Sequence, residues 1–244
     1  MTRPSPSGNN LDATAPFVSQ ADLVLVCSQR RYFYYLTGCN IPDSYYIYDI
    51  QSNKSTLFIP AIDPDDVIWS GLPLTAEDAQ AQYDVDEVKY ADQVSSVLAS
   101  LSAANPSGTF YGIENQISDH ISLSSFAKQD LNILKKSIAT ARVIKDEYEV
   151  AQLRKANQIS GWGHKNVMQK AKSAKSELEL EAAFLETCVA NGAKEMSYHP
   201  ILAAGKAAAT LHYMDNNAPL ESKLNLLIDA GAEWNNYCAD IVSL

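Results

Sequence analysis

Two aspartates, Asp229 and Asp240, interrupt the strand-like stretch LLIDAGAEWNNYCADIVSL. If residues 224–232 and 236–242 pair as an antiparallel hairpin turning at Trp234-Asn235, the two stand directly opposite each other. Opposed positions hold their Cβ atoms about 4.5–5.5 Å apart. Two buried carboxylates that close are not both ionised unless a cation or a shared proton lies between them. Oxygen donors at this separation suit a pair of divalent cations, which polarise a carbonyl and supply a bridging hydroxide. The residues alone leave a second reading open, in which one aspartate caps the turn or lies at a wet strand end.

His212 is the other candidate. It stands in GKAAATLHYMDN, after a small-residue run that follows the apolar ILAAG. An imidazole there could donate to a developing oxyanion or hold a substrate carboxylate; the alternative is a hydrogen-bonded core histidine. His120, His164 and His199 carry weaker claims, and no two histidines have the spacing of an H-E-x-x-H metal site. Cys27, Cys39, Cys188 and Cys238 are far apart with no C-x-x-C pair, so reduced thiols are expected and a thiolate zinc site is not indicated.

These side chains need a scaffold, and the sequence offers two kinds. ADLVLVC (21–27), SYYIYDI (44–50) and STLFIP (55–60) read as strands, the last two as a hairpin. Asp63-Pro64-Asp65-Asp66 starts a helix, and acidic, alanine-bearing segments at 75–82 and 91–104 alternate with a strand at 110–113. That half is α/β. From Lys145 the pattern turns helical, with Val150, Leu153, Ala156 and Ile159 at helical spacing and Gly161 and Gly163 as weak points. Ser176 and Glu179 form the capping box of a further helix that Gly192 stops. Strands return at about 200–205, 224–233 and from 236, and a domain boundary is expected at 139–146. The Pro-, Ser-, Gly- and Asn-rich first ten residues are expected to be a floppy tail.

Composition narrows the function classes. A chain of 244 residues with 46% hydrophobic content can fill a core, and it has no apolar run of membrane-spanning length and no secretory leader pattern, so a cytoplasmic location is the default. The net charge of -10 argues against general nucleic-acid binding. Residues 135–175 nevertheless carry 10 Lys/Arg against 3 Asp/Glu, a basic island best read as a solvated helical face.

Five stretches together carry a resemblance: RRYFYYLTGC (30–39), IPAIDPDDVIWSGLP (59–73), ARVIKDEYEVAQLRKANQIS (141–160), SYHPILAAGKAAATLHY (197–213) and LLIDAGAEWNNYCADI (226–241). They resemble the Xaa-Pro aminopeptidase and prolidase family of pita-bread metallopeptidases, in particular the fungal intracellular Xaa-Pro aminopeptidases. The resemblance implies an α/β N-terminal domain over 29–140 after a disordered or divergent lead at 1–28. It further implies the incomplete start of an α+β pita-bread catalytic domain over 141–244. It implies two Mn2+ per subunit, with Asp229 bidentate on one ion and Asp240 bridging both, and His212 beside the scissile bond of a proline-containing peptide. A homo-oligomer is compatible with it. The family's metal histidine and two glutamates lie beyond the second aspartate and have no counterpart here, and the lead matches poorly, as in a truncated or misspliced product. Two rivals stand beside this reading: a non-catalytic fragment that binds a homologue or another partner, and a creatinase-like enzyme, which the paired aspartates disfavour.

Overall fold

The computed structural model describes residues 23–27, 30–114 and 116–244. The expectations for residues 1–22 lie outside the described residues. The chain divides into two compact units, one ending at Ile144 and the other beginning at Lys145.

The first unit is built on a six-stranded sheet ordered β4-β3-β2-β1-β5-β6. Its strands are β1 (Leu23–Cys27), β2 (Tyr45–Asp49), β3 (Lys54–Ile59), β4 (Glu87–Tyr90), β5 (Thr109–Tyr111) and β6 (Lys128–Asp130). β1–β2 and β2–β3 are antiparallel, while β3–β4, β1–β5 and β5–β6 are parallel. Both faces are covered. Tyr46, Leu57 and Ile59 cluster with Phe33 of α1 (Arg30–Thr37) and with Leu134 and Ile138 of α5 (Ile133–Ala141). Tyr45, Ile47 and Phe58 cluster instead with Val94 and Leu98 of α4 (Val94–Ala104). Burial on both sides explains why SYYIYDI is apolar throughout rather than alternating. Two short helices, α2 (Pro64–Ser70) and α3 (Ala76–Gln82), start at Asp63 and Thr75, whose side chains accept from the amides of Asp65 and Asp78.

The second unit opens with α6 (Glu147–Lys170), capped by a reciprocal box in which Asp146 accepts from the Glu149 amide and Glu149 from the Asp146 amide. Gly161 and Gly163 do not break it. A Cβ on Gly163 would come within 2.6 Å of the Phe184 ring on α7 (Glu177–Ala190), so this glycine lets the two helices approach closely. At the start of α7 only half of the expected box forms, because the Glu179 carboxylate accepts from the amide of Lys175 instead of that of Ser176. Two three-stranded sheets follow, ordered β11-β10-β7 and β12-β9-β8. They comprise β7 (Glu195–Met196), β8 (Ile201–Ala204), β9 (Leu226–Asp229), β10 (Ala232–Trp234), β11 (Tyr237–Cys238) and β12 (Val242–Ser243). Ile159, Val167, Leu180, Phe184, Leu202 and Ile228 form the core between helices and strands. No helix among the described residues is long and apolar enough to cross a membrane.

Candidate metal centre

A single hairpin carries both aspartates and serves both small sheets, β9 running on into β10 and β11 into β12. Asn235 and Asn236 make its turn, with φ of 49° and 64°. Two successive left-handed residues are the signature of a type I′ turn, whose twist matches the flanking strands. The turn therefore lies one residue later than Trp234-Asn235, and the expected register is corrected. Trp234 pairs with Tyr237 and Glu233 with Cys238, and Asp229 stands opposite Val242 rather than Asp240. The correction moves the partner by two residues. A one-residue slip would have sent a carboxylate to the other face, whereas a two-residue shift keeps both on the same one.

Their convergence is seen at Tyr198, just beyond β7. The Ser197 amide donates to the Gly231 carbonyl at 2.8 Å and brings the tyrosine over the hairpin. The Tyr198 hydroxyl stands 2.5 Å from Asp229 Oδ1 and 3.2 Å from Asp240 Oδ1. The hydroxyl is the donor toward both carboxylates, and the shorter contact, to Asp229, is the stronger. Burial, then the hydrogen bond and charge of Asp229, then the charge of Asp240, raise the phenol well above its ordinary range, so it remains a donor. Gly231, between the aspartates, marks where the strands nearly touch: a Cβ there would lie 1.9 Å from the Ala239 carbonyl oxygen. No residue but glycine fits.

Asp229 is half-buried and Asp240 exposed, and neither has an ion pair among the described residues; the tyrosine is their shared partner. Two hard oxygen donors with no cationic side chain beside them suit a divalent cation. No group of three or more His, Cys, Asp or Glu converges anywhere among the described residues. The donors present thus fit part of a metal ligand set.

Helix α6 holds this hairpin from behind. His164 Nε2 lies 2.9 Å from the Ala230 carbonyl and Nδ1 3.0 Å from Ser243 Oγ. Since a carbonyl only accepts, Nε2 carries the proton. The Ala232 amide donates to Ser160 Oγ at 2.9 Å, and the Tyr237 hydroxyl to Glu149 at 3.0 Å. His164 is the hydrogen-bonded core histidine. His212 is not: it is exposed in a turn after the short 3₁₀ segment Gly205–Ala209, and among the described residues no hydrogen bond reaches it. His199 is exposed, 3.3 Å from the Met214 carbonyl, and His120 lies edge-on to Tyr45 in the first unit. Sequence reasoning passed over Tyr198, Ser160 and Glu149. A signal existed for the helix residues, because Ser160 and His164 are polar groups on the apolar face that Ile159 and Val167 define.

Comparison with known proteins accounts for both units. Residues 12–111 match the aminopeptidase P N-terminal domain, and residues 151–243 match metallopeptidase family M24. The chain carries an aminopeptidase P N-terminal domain and part of an M24 domain. The first match reaches back to residue 12, beyond the motifs that begin at Arg30. A protein named "Probable Xaa-Pro aminopeptidase" in Fusarium vanettenii is 63% identical over 213 residues, covering 87% of this chain and 46% of that protein. One of the same name in Metarhizium robertsii is 61% identical with the same coverage. Among solved structures, proline aminopeptidase P II from Yersinia pestis matches with a TM-score of 0.83 at 25% identity, over 96% of this chain and 61% of that one. The chain spans about half the length of the curated relatives it matches. Both aspartates, Ser160 and His164 fall inside the M24 match, whereas Glu149 lies just before it.

Proposed function

We propose that this chain is part of a metal-dependent aminopeptidase that removes the N-terminal residue from peptides with proline in the second position. The observation that carries the reading is the convergence of Asp229 and Asp240 on the Tyr198 hydroxyl without a cationic side chain beside them. The names of the fungal relatives supply the substrate class. Asp229 and Asp240 would hold the metal, manganese in this reading, whose Lewis acidity would act on the carbonyl before proline. Tyr198 fixes the orientation of Asp229. His212, exposed and unengaged, is free to meet substrate and to hold or give a proton at the scissile bond. The free thiols of Cys39, Cys188 and Cys238 fit a cytoplasmic setting.

A second reading is favoured by the lack of a third acidic or histidine donor among the described residues: a chain that hydrolyses nothing and acts by binding a homologue. One set of measurements separates the two. Residues 1–244 are titrated with Mn2+ by calorimetry and assayed on an Xaa-Pro tripeptide beside the full-length Fusarium relative. Weak Mn2+ binding that Asp229→Asn and Asp240→Asn each abolish is expected, since water must fill the remaining coordination positions. Turnover is expected at less than about a tenth of the control, because a dinuclear site needs both ions held together. Binding unchanged in both variants would refute the metal assignment. No turnover at all favours the non-catalytic reading.

A further inference from the structure

The segment that carries His212 leaves β8 at Gly205 and rejoins the sheet at β9; Leu220 packs on the core further along, but the stretch around His212 has little apolar anchoring. Leu211 is 89% exposed and Met214 54% exposed. Hydrogen bonds hold it instead, and they gather on one side chain. Glu177, the first residue of α7, is 0% exposed. Its Oε1 accepts from the Ala204 amide at 2.7 Å, and its Oε2 accepts from the Tyr213 hydroxyl at 2.7 Å and the Ala218 amide at 2.9 Å. The Glu177 amide in turn donates to the Ala218 carbonyl at 3.0 Å. Asn216, 1% exposed, adds a second fastening by accepting from the Leu202 amide and donating to the Pro200 carbonyl.

A buried carboxylate is costly unless every lone pair finds a donor. An apolar residue at this place would fill the space and leave two backbone amides unpaired. A glutamate that only secured the helix start would need the amides alone. The Tyr213 hydroxyl is the additional bond, and it belongs to the residue next to His212. The phenol is correspondingly raised by the hydrogen bond to Glu177.

We propose that Glu177 is the positioning residue of the His212 loop: its buried carboxylate ties the end of β8, the neighbour of His212 and Ala218 to the first turn of α7, and so presents His212 in one place. The proposal rests on the reading of His212 as the group that meets substrate. Glu177 itself touches no reacting atom.

Tyr213→Phe tests it most cleanly, since it removes one hydroxyl and keeps the ring. In residues 1–244, amide exchange over 206–218 and the imidazole signals of 15N-labelled histidine, with His212 assigned from His212→Gln, are compared with wild type. Exchange about tenfold faster over the loop is expected, with a moved or broadened His212 signal, for the loss of one charge-assisted bond. Helix α7 should exchange as before. With Mn2+ and an Xaa-Pro tripeptide, kcat should fall about tenfold while KM stays nearly constant. Glu177→Gln, which cannot accept at all three donors, should be worse on every readout, and Glu177→Asp should not rescue it because the shorter arm falls short of Tyr213. Loop exchange and a His212 signal identical to wild type in Tyr213→Phe would overturn the proposal, even if Glu177→Gln fails to fold. Should wild type show no turnover, the peptidase reading fails while the exchange and imidazole readouts still decide the clamp.

Discussion

Replacing His164 by leucine asks how much of the aspartate hairpin depends on one buried ring. His164 is 4% exposed, packs edge-on to Phe184 at 5.6 Å between centroids, and bonds the Ala230 carbonyl and Ser243 Oγ. Leucine has a similar volume, so the packing term is small and the polar term dominates. Ala230 is 0% exposed, and its carbonyl would lose its ring donor at a cost of about 1–3 kcal/mol. The Ser243 bond adds about 0.5–1.5 kcal/mol, less whatever the half-exposed hydroxyl recovers from water. A loss of about 2–4 kcal/mol is expected, which for a unit of this size lowers Tm by roughly 10–25 °C. Urea unfolding followed through Trp162 and Trp234, with Trp69 replaced by phenylalanine, reads it directly. Because Ala230 follows Asp229, Mn2+ affinity should fall in the same variant. Ser243→Ala should cost under about 1 kcal/mol. A loss below about 1 kcal/mol in His164→Leu, or equal losses in the two variants, would show that the Ala230 bond does not hold the hairpin.

Two further outcomes follow from burial and backbone geometry. Burial pushes the Cys188 thiol from 9.0 to about 11, so above pH 9 the unfolded chain sheds a proton that the folded one keeps. Stability from this group is full below the unfolded value and drains away between about pH 9 and 11, by up to roughly 2–3 kcal/mol; urea midpoints should fall more steeply over that window in wild type than in Cys188→Ala. At the turn, Asn236→Val puts a β-branched residue at φ 64° and should cost about 1–2 kcal/mol more than Asn236→Gly, which loses the same buried side chain without the backbone strain. Equal melting curves for the valine and glycine variants would remove the type I′ argument.

Where sequence and structure part, the reasons are local. The α/β character of the N-terminal unit was legible because SYYIYDI and STLFIP are short runs rich in β-branched and aromatic residues, and the cap at Asp63 announced α2. The hairpin around the aspartates was legible as a hairpin. Its register was not, because it hinges on which two residues take positive φ, and Asn-Asn signals this less strongly than Asn-Gly. Gly161 and Gly163 suggested weakness in α6 because propensity is a property of the isolated helix, whereas the close approach of Phe184 is a tertiary fact. Tyr198 and Glu177 were invisible for another reason. Each works through partners more than thirty residues away, Asp229 and Tyr213, and no local pattern encodes that distance.

The structure also explains how two carboxylates can be held together in a sheet that is mostly dry. Each element around them removes one degree of freedom without supplying a positive charge. The near contact at Gly231 fixes the bend between Asp229 and Asp240. Ser160 and His164 fix the two backbone groups on either side of that bend, at Ala232 and Ala230. Tyr198 spans the carboxylates with a neutral donor, which lowers their repulsion and leaves their net charge in place. A lysine in place of Tyr198 would halve the charge of the pair and stabilise the hairpin, and it would also compete with any cation for the same oxygens. Tyr198→Lys is therefore expected to raise the urea midpoint and to abolish Mn2+ binding together. Stability gained with Mn2+ affinity intact would mean that the two aspartates do not share the cation.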